Sequence, residues 1–325
     1  MSEMTYAGAA MAALAEEMRR DPAVWALGED LGRGGVFGQY KGLAEEFGHD
    51  RIASTPISEA TIMGAAVGAA MVGTRPVVEM RFSDFALCAV DEMVNQAAKA
   101  RFMFGGQARV PVVIRQPSGM WRSSAAQHSQ SLEAWYVHIP GLVVVTPATP
   151  ADNKGLLTSS IRCDDPVIYM EHKGLWGATG EVPDDPDFEV PLGSARIARA
   201  GNDITVVTWS AMVHEATAAA DLAAEAGLGI EVIDLRTLWP WDRETVFQSV
   251  ARTGRLIVAQ EAVQVGGFGA EIAASVAEEL AGDLKAPVRR LGSPRAPISY
   301  SKPLEDRLRV TAAQIAETAR EVLVA

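Results

Sequence analysis

An α/β chain of two domains, each a mainly parallel sheet flanked by helices, is what the sequence predicts. Three observations carry the prediction. Helical and strand patterns alternate from the start. The runs 110–115 and 142–146 are continuously apolar, as in strands covered on both faces. Regularity then fails between 174 and 191, where Gly180-Glu181-Val182-Pro183-Asp184-Asp185-Pro186-Asp187 gathers turn formers, and returns afterwards. Residues 179–192 therefore read as a linker between a domain of residues 1–178 and one of residues 193–325.

Taken in order, residues 7–19 form an amphipathic helix, and residues 24–27 a strand that ends in Gly28-Glu29-Asp30. A short apolar strand at 51–53 leads through Thr55-Pro56-Ile57-Ser58-Glu59-Ala60 into Gly64-Ala65-Ala66-Val67-Gly68-Ala69-Ala70. A helix made of such small residues suits a close contact with another backbone. Residues 76–80 are a strand, and 85–103 carry one long helical period. After the strand at 110–115 comes the loop 116–124, then Ala126-Gln127-His128-Ser129-Gln130, the strand 142–146, a helix at 150–162 and a strand at 166–171. In the second domain, strands at 204–209, 231–235 and 256–260 alternate with helices at 211–226 and 242–251. Gly266-Gly267-Phe268-Gly269 opens a helix to about residue 280, residues 287–291 are a strand, and residues 311–324 a closing helix.

The composition, 48% hydrophobic and 22% charged over 325 residues, is enough for two cores. The net charge of −12 argues against nucleic acid or an anionic membrane surface as a partner. Cys88 and Cys163 are the two cysteines, without metal-ligand spacing. The first residues show no basic-then-apolar signal, and the most apolar stretch is far shorter than the ~20 residues of a span. A cytoplasmic protein is expected.

Two positions stand out chemically. Glu59 places a carboxylate at the entrance of the small-residue helix. Its bland reading is a first-turn acid favoured by the helix dipole, beside a capping Ser58. His128 follows a loop at a strand's C-terminal end, where α/β sheets bind ligands. Of the other histidines, His49 and His138 read as structural, His214 lacks the second histidine of a zinc-protease motif, and His172 is ambiguous.

These two segments, together with Gly28-Glu29-Asp30, Gly34-Gly35-Val36-Phe37, Asn95-Gln96-Ala97-Ala98-Lys99, Phe104-Gly105-Gly106-Gln107, Pro140-Gly141-Leu142 and Gly266-Gly267-Phe268-Gly269-Ala270-Glu271, run in one order along the chain. In that order they resemble the β subunits of the thiamine-diphosphate-dependent first components of 2-oxoacid and acetoin dehydrogenase complexes. The resemblance implies a transketolase-like pyrimidine-binding domain followed by a transketolase C-terminal-like domain. It makes Glu59 the carboxylate at the aminopyrimidine nitrogen of the coenzyme, with Ile57, Ala60 and Ile62 as an apolar setting that promotes proton sharing. It places Phe85 on the pyrimidine, Glu29 and Arg81 beside the coenzyme, and His128 at the reacting carbon. Arg81 departs from relatives that often carry an uncharged residue there, and Gly119-Met120-Trp121-Arg122-Ser123-Ser124 is bulkier than their Gly-rich loop.

In some relatives a potassium ion is held by backbone carbonyls, which fall here at Val112, Ser160, Ile161, Cys163 and Asp165. The magnesium and diphosphate ligands of thiamine enzymes lie in a Gly-Asp-Gly…Asn segment, which this sequence lacks. Half of the coenzyme site is thus expected from an α subunit, in an α2β2 heterotetramer that passes the acyl group to a lipoyl acyltransferase component. Ser131-Leu132-Glu133-Ala134-Trp135-Tyr136 with Met103-Phe104-Gly105-Gly106-Gln107 looks closest to the acetoin-cleaving branch. Pyruvate or a branched-chain 2-oxoacid is the alternative, and a non-catalytic assembly subunit of the same fold is a reading of another class. The glycines at 266–269 read as a tight strand-to-helix turn in preference to a phosphate cradle.

Overall fold

The structure, a computed structural model, describes residues 1–324. By packing, the chain divides into two compact units: residues 1–118 with 135–192, and residues 119–134 with 193–325.

The first unit opens with β1 (Ser2–Thr5) and α1 (Tyr6–Arg20). Thr5 caps α1, its Oγ1 accepting from the Gly8 amide at 3.0 Å, and Arg19 and Arg20 complement the dipole in the last turn. Next come β2 (Val24–Glu29), α2 (Leu43–Phe47), β3 (Ile52–Thr55), α3 (Glu59–Met71), β4 (Arg75–Glu79) and the short α4 (Ser83–Ala86). The long helical period expected from 85 to 103 is broken. It consists of α4, a 3-10 turn at Leu87–Ala89, a π-helical turn at Glu92–Ala97 and α5 (Ala98–Met103). Apolar periodicity cannot register such changes of pitch, because each piece still turns an apolar face to the core. At the end of α5, Phe102, Met103 and Phe104 stand exposed.

β5 (Val113–Ser118) begins later than expected, since Pro111 has no amide for the ladder. After it come α6 (Glu133–Val137), β6 (Val143–Val145), α7 (Pro150–Arg162) and β7 (Val167–His172). Thr149 caps α7, accepting from the Asp152 amide at 3.1 Å, and Pro150 sits in the first turn. The strands of this unit run β6-β7-β5-β4-β2-β3, and all of these pairs are parallel. One core joins Leu14, Val24, Ile52, Val77, Leu156 and Tyr169.

Residues 179–192, expected as a linker, pack with the first unit. β8 (Thr179–Val182) pairs antiparallel with β1 from Ser2↔Val182 to Thr5↔Thr179. The Ser159 hydroxyl donates to the Val190 carbonyl at 2.7 Å, and Val190 is buried. Partner strands can override a turn-rich composition.

The second unit has a five-stranded sheet in the order β14-β13-β10-β11-β9. Its elements are β9 (Arg196–Arg199), β10 (Ile204–Thr208), α8 (Met212–Ala224), β11 (Ile230–Asp234), the short β12 (Thr237–Trp239) outside this sheet, α9 (Arg243–Thr253), β13 (Leu256–Val263), α10 (Gly269–Glu279), β14 (Arg289–Ser293), α11 (Lys302–Asp306) and α12 (Ala312–Val324). Only β9, not foreseen from the sequence, runs antiparallel in this sheet. Its core joins Val206, Ala216, Val232, Ile257 and Ile315. Both sheets thus have the mainly parallel, helix-flanked character expected. Among the described residues no helix is long and apolar enough to cross a membrane.

Candidate active site

The C-terminal ends of β2 and β4 bring an acidic cluster together. Gly28 precedes it, and a Cβ there would stand 2.7 Å from the Glu79 carbonyl, so only glycine lets β2 pass β4 so closely. Glu29 follows, 6% exposed, and Asp30 takes a left-handed φ of 58°. Arg81 turns back toward both: its Nη1 lies 3.2 Å from Glu29 Oε2 and 3.3 Å from Asp30 Oδ2. The cation that looked out of place in the sequence is therefore an ion-pair partner of two carboxylates. Burial pushes the Glu29 carboxyl above its usual range, Arg81 opposes this, and the charges of Glu59 and Asp30 add to it.

Glu59 is the first residue of α3, half-buried, and its carboxylate has no hydrogen-bond or ion-pair partner among the described residues. Ser58 makes no side-chain cap bond; its hydroxyl donates instead to the Pro56 carbonyl at 3.4 Å. The capping-partner reading of Glu59 thus loses its support, although the dipole still favours an acid there. The apolar setting expected around it is only partly supplied by this chain. Ile62 is buried, but Ile57 is 78% exposed and Ala60 is exposed.

Phe85 belongs to an aromatic group that is not plain core. Its ring centroid lies 5.7 Å from that of Phe82, and Phe37 bridges Phe82 at 6.2 Å and Trp176 at 4.6 Å. The buried Lys173 holds its Nζ 4.5 Å from the Phe82 ring centre. Phe37, Phe82, Phe85 and Trp176 all keep some exposure, so a flat apolar ring has faces to meet.

Beneath this group lies a buried ionic network that sequence reasoning missed. Arg115 grips Glu171 with two bonds, Nε to Oε2 at 2.7 Å and Nη2 to Oε1 at 3.0 Å. Its Nη1 donates to the Tyr40 hydroxyl at 3.0 Å, which donates in turn to Glu79 Oε2 at 2.9 Å. Asn153 adds a bond to Glu171 Oε1 at 3.1 Å, and Tyr169 donates to Asn153 Oδ1 at 2.8 Å. One guanidinium faces two carboxylates out of water, so burial pushes Glu79 up to about 7, with Arg115 opposing. Gln39 also bonds Glu79, while its Oε1 accepts from the Phe37 amide at 2.9 Å. The network thereby anchors the loop that carries Phe37.

His128 belongs to the second unit, in the 119–134 excursion, half-buried, its amide donating to the Ala125 carbonyl at 3.4 Å. Arg122, Ser123 and Ala125 before it all have positive φ. His172, ambiguous in the sequence, accepts from the Gly174 amide at Nδ1 (3.0 Å) and so caps the turn after β7. Gly267 and Gly269 pack on Gln260, whose Oε1 accepts from the Gly269 amide at 2.8 Å; a Cβ at Gly267 would overlap its side chain. This turn serves packing.

The carbonyl cluster considered for potassium is engaged by protein donors. Arg75 Nη1 donates to the carbonyls of Ile161 and Cys163, both at 3.0 Å, and its Nη2 reaches Asp164 Oδ1 at 2.6 Å. The Val112 carbonyl accepts from the Val167 amide and the Ser160 carbonyl from the Cys163 amide, while Asp165 pairs with Arg101 through its side chain. A guanidinium already lies on two of the five carbonyls, those of Ile161 and Cys163, and we assign no ion to the cluster. Among the described residues, no group of three or more His, Cys, Asp or Glu side chains is placed to hold a metal.

Comparison with known proteins identifies both domains. The transketolase pyrimidine-binding domain matches residues 2–178, and the transketolase C-terminal domain matches residues 193–315. The β subunit of acetoin:2,6-dichlorophenolindophenol oxidoreductase from Cupriavidus necator is 47% identical, over 96% of this chain and 95% of that protein. The 2-oxoisovalerate dehydrogenase subunit β of Bacillus subtilis is 41% identical over 99% of both chains. The pyruvate dehydrogenase E1 component subunit β of Rhizobium meliloti is 43% identical over 99% of this chain and 70% of its own. Among solved structures, a split-gene transketolase described as an inactive β4 tetramer aligns with a TM-score of 0.79 at 23% identity, over 99% of this chain and 98% of its own, a likeness of fold. The chain belongs to the transketolase-type family of two-domain α/β proteins that includes the β subunits of the acetoin, 2-oxoisovalerate and pyruvate dehydrogenases.

Proposed function

We propose that this chain is the β subunit of an α2β2 thiamine-diphosphate enzyme that cleaves acetoin and passes the acyl group to a lipoyl carrier on an acyltransferase component. The observation that carries the reading is Glu59. Its carboxylate is unengaged at the start of α3 and electrostatically coupled to the buried Glu29. A carboxylate of that kind, in a unit that also presents the Phe85 ring, fits the aminopyrimidine half of the coenzyme.

Thiamine diphosphate, when bound, supplies the carbon nucleophile and electron sink of the reaction. Glu59 holds and returns a proton at its carboxylate, Phe85 packs on the ring, and Glu29 and Ile57 line the same half. Arg81 acts through Glu29 and Asp30. His128, in the other unit, is assigned the step that follows, protonating or orienting the acyl acceptor. The diphosphate and Mg2+ are assigned to the α subunit, since the sequence has no Gly-Asp-Gly segment. A cytoplasmic location belongs to the same proposal.

Acetoin is favoured by the 47% identity to the Cupriavidus necator subunit, against 43% and 41% for the pyruvate and 2-oxoisovalerate relatives. The second Bacillus subtilis relative, an acetoin oxidoreductase β subunit at 42%, keeps that margin narrow, and a 2-oxoacid is the second reading. The pairing of Arg81 removes one of the two reasons for thinking of a non-catalytic assembly subunit.

Glu59→Gln, reassembled with its α subunit, is the direct test. Gln keeps the size of the side chain but cannot exchange a proton, and help of this kind is worth about 10²–10⁴-fold. Hydrogen–deuterium exchange at the thiazolium carbon should slow by that order while the melting temperature stays put. Exchange at the wild-type rate in a folded variant would reduce Glu59 to a helix-entrance residue.

A further inference from the structure

The excursion that carries His128 is bent against its own preference. Arg122, Ser123 and Ala125 take φ values of 48°, 56° and 66°, and none is a residue that tolerates the left-handed region readily. Strain of this kind persists only where surrounding groups over-determine the conformation.

Three side chains of the same unit do so. Glu261, on β13, accepts at Oε1 from the Met120 amide (2.8 Å) and from the Ser131 hydroxyl (3.2 Å). Arg309 Nη2 donates to the Met120 carbonyl at 3.1 Å. Glu305, on α11 and 2% exposed, accepts at Oε2 from both the amide (3.0 Å) and the hydroxyl (3.2 Å) of Ser123. Its Oε1 accepts from Arg309 Nη2 at 2.7 Å, while Arg309 Nη1 lies 3.9 Å from Glu261 Oε2 and its Nε 3.9 Å from Asp306. The two carboxylates and the guanidinium thus balance one another, and they hold both backbone groups of Met120 and the amide of Ser123. The strained turn continues directly into His128, whose amide closes on Ala125. A loop in need of mere anchoring could be tied once and relaxed by glycine; this one is held at Met120 and Ser123, on either side of Trp121 and the strained Arg122.

We propose that Glu305, with Arg309 and Glu261, is a positioning residue for His128. By fixing the turn 122–125, the latch sets where the imidazole stands, and with it the substrate discrimination of the step that His128 serves. This rests on the reading of His128 as a catalytic residue.

The test uses the reassembled α/β complex with Glu305→Ala, Glu305→Gln and His128→Gln. Glu305→Ala should speed amide deuterium exchange across 120–128 by tenfold or more. It should lower kcat/KM for acetoin at least tenfold and narrow its preference over a bulkier acyloin, while exchange at the thiazolium carbon, the step served by Glu59, keeps the wild-type rate. Glu305→Gln, which still accepts from Ser123, should recover part of both effects. If His128→Gln is impaired but Glu305→Ala leaves loop protection or kcat/KM unchanged, the positioning role alone fails. If His128→Gln turns over normally, the reading of His128 fails and takes the inference with it. Should Glu305→Ala not assemble, Arg309→Lys, which keeps the charge but loses the guanidinium fork, replaces it in the same measurements, and the same results support or overturn the positioning role.

Discussion

Glu79 and Arg81 lie two residues apart at the end of β4, and they make opposite demands on pH. In the unfolded chain Glu79 loses its proton near the ordinary 4.5, whereas the folded protein keeps it to about 7. Between those values the native state binds the extra proton, so this residue's contribution to stability falls as pH rises through the window. Glu79→Gln, which still accepts a bond from Tyr40, should flatten that fall. Melting temperatures at pH 5 and pH 7.5 should differ less in the variant than in wild type. Arg81 works the other way, opposing the rise that burial imposes on Glu29. Arg81→Gln should move the Glu29 titration further upward, as read by carboxyl NMR of the coenzyme-free protein, and Arg81→Lys should restore part of the difference. An unmoved Glu29 would mean that the ion pair carries little weight. Glu59, Phe85 and His128 could be singled out as candidates because each sits in a contiguous motif. The network around Arg115 was not, since Tyr40 and Glu79 are 39 residues apart, Arg115 and Glu171 are 56 apart, and Arg115 and Tyr40 are 75 apart. No local pattern announces such a meeting; only the parallel register of β4, β5 and β7 brings it about.

Among the elements, α3 offers a sharp test. A Cβ at Gly68 would meet nothing within 4 Å, and one at Gly64 would come no nearer than 3.9 Å to Glu92 Cγ. The small-residue face is therefore open within this chain, while Ile62, Met63, Ala66, Val67 and Ala70 face the core. Gly68→Leu should leave the isolated chain's stability within about 0.5 kcal/mol, as for an ordinary surface change. Assembly with partner subunits should suffer, since overpacking a close contact costs about 1–3 kcal/mol. Light scattering and a thermal melt separate the two outcomes, and an unchanged oligomer would free α3 of an interface role. Helices α1, α7 and α9 were placed within two residues from the sequence, and Thr5, Thr149 and Asp242 cap their starts. β1, β8 and β9 were missed. They are four-residue strands that owe their form to partners, and β8 lies in a stretch that composition alone reads as a turn.

For the whole molecule, the proposal makes this chain half of a coenzyme site. Calorimetry of the isolated chain with thiamine diphosphate and magnesium should show weak binding or none, and tight binding should return once the α subunit is added. A tight, magnesium-dependent site on the lone chain would overturn the two-subunit assignment. The two-domain α/β fold class was legible, because it depends on alternation repeated many times and local errors average out. The packing of 119–134 with residues 193–325 was not, because it is dictated by Glu261, Glu305 and Arg309, far along the chain from the loop they hold.

The π-helical turn at Glu92–Ala97 has a consequence for how this surface can change. Its ladder skips one residue, the Ala98 amide reaching back to the Met93 carbonyl, so the segment carries an extra residue per turn. Deleting one residue there would let a regular α-helix run on through α5. Because the Ala98 amide already stands where the next α-helical amide would, the faces downstream would keep their direction. The apolar tip of Phe102, Met103 and Phe104 would hold its aim, whereas a deletion within α5 would rotate everything beyond it by about 100°. Loss of one residue should therefore be better tolerated in the π-helical turn than in the α-helical turns beside it.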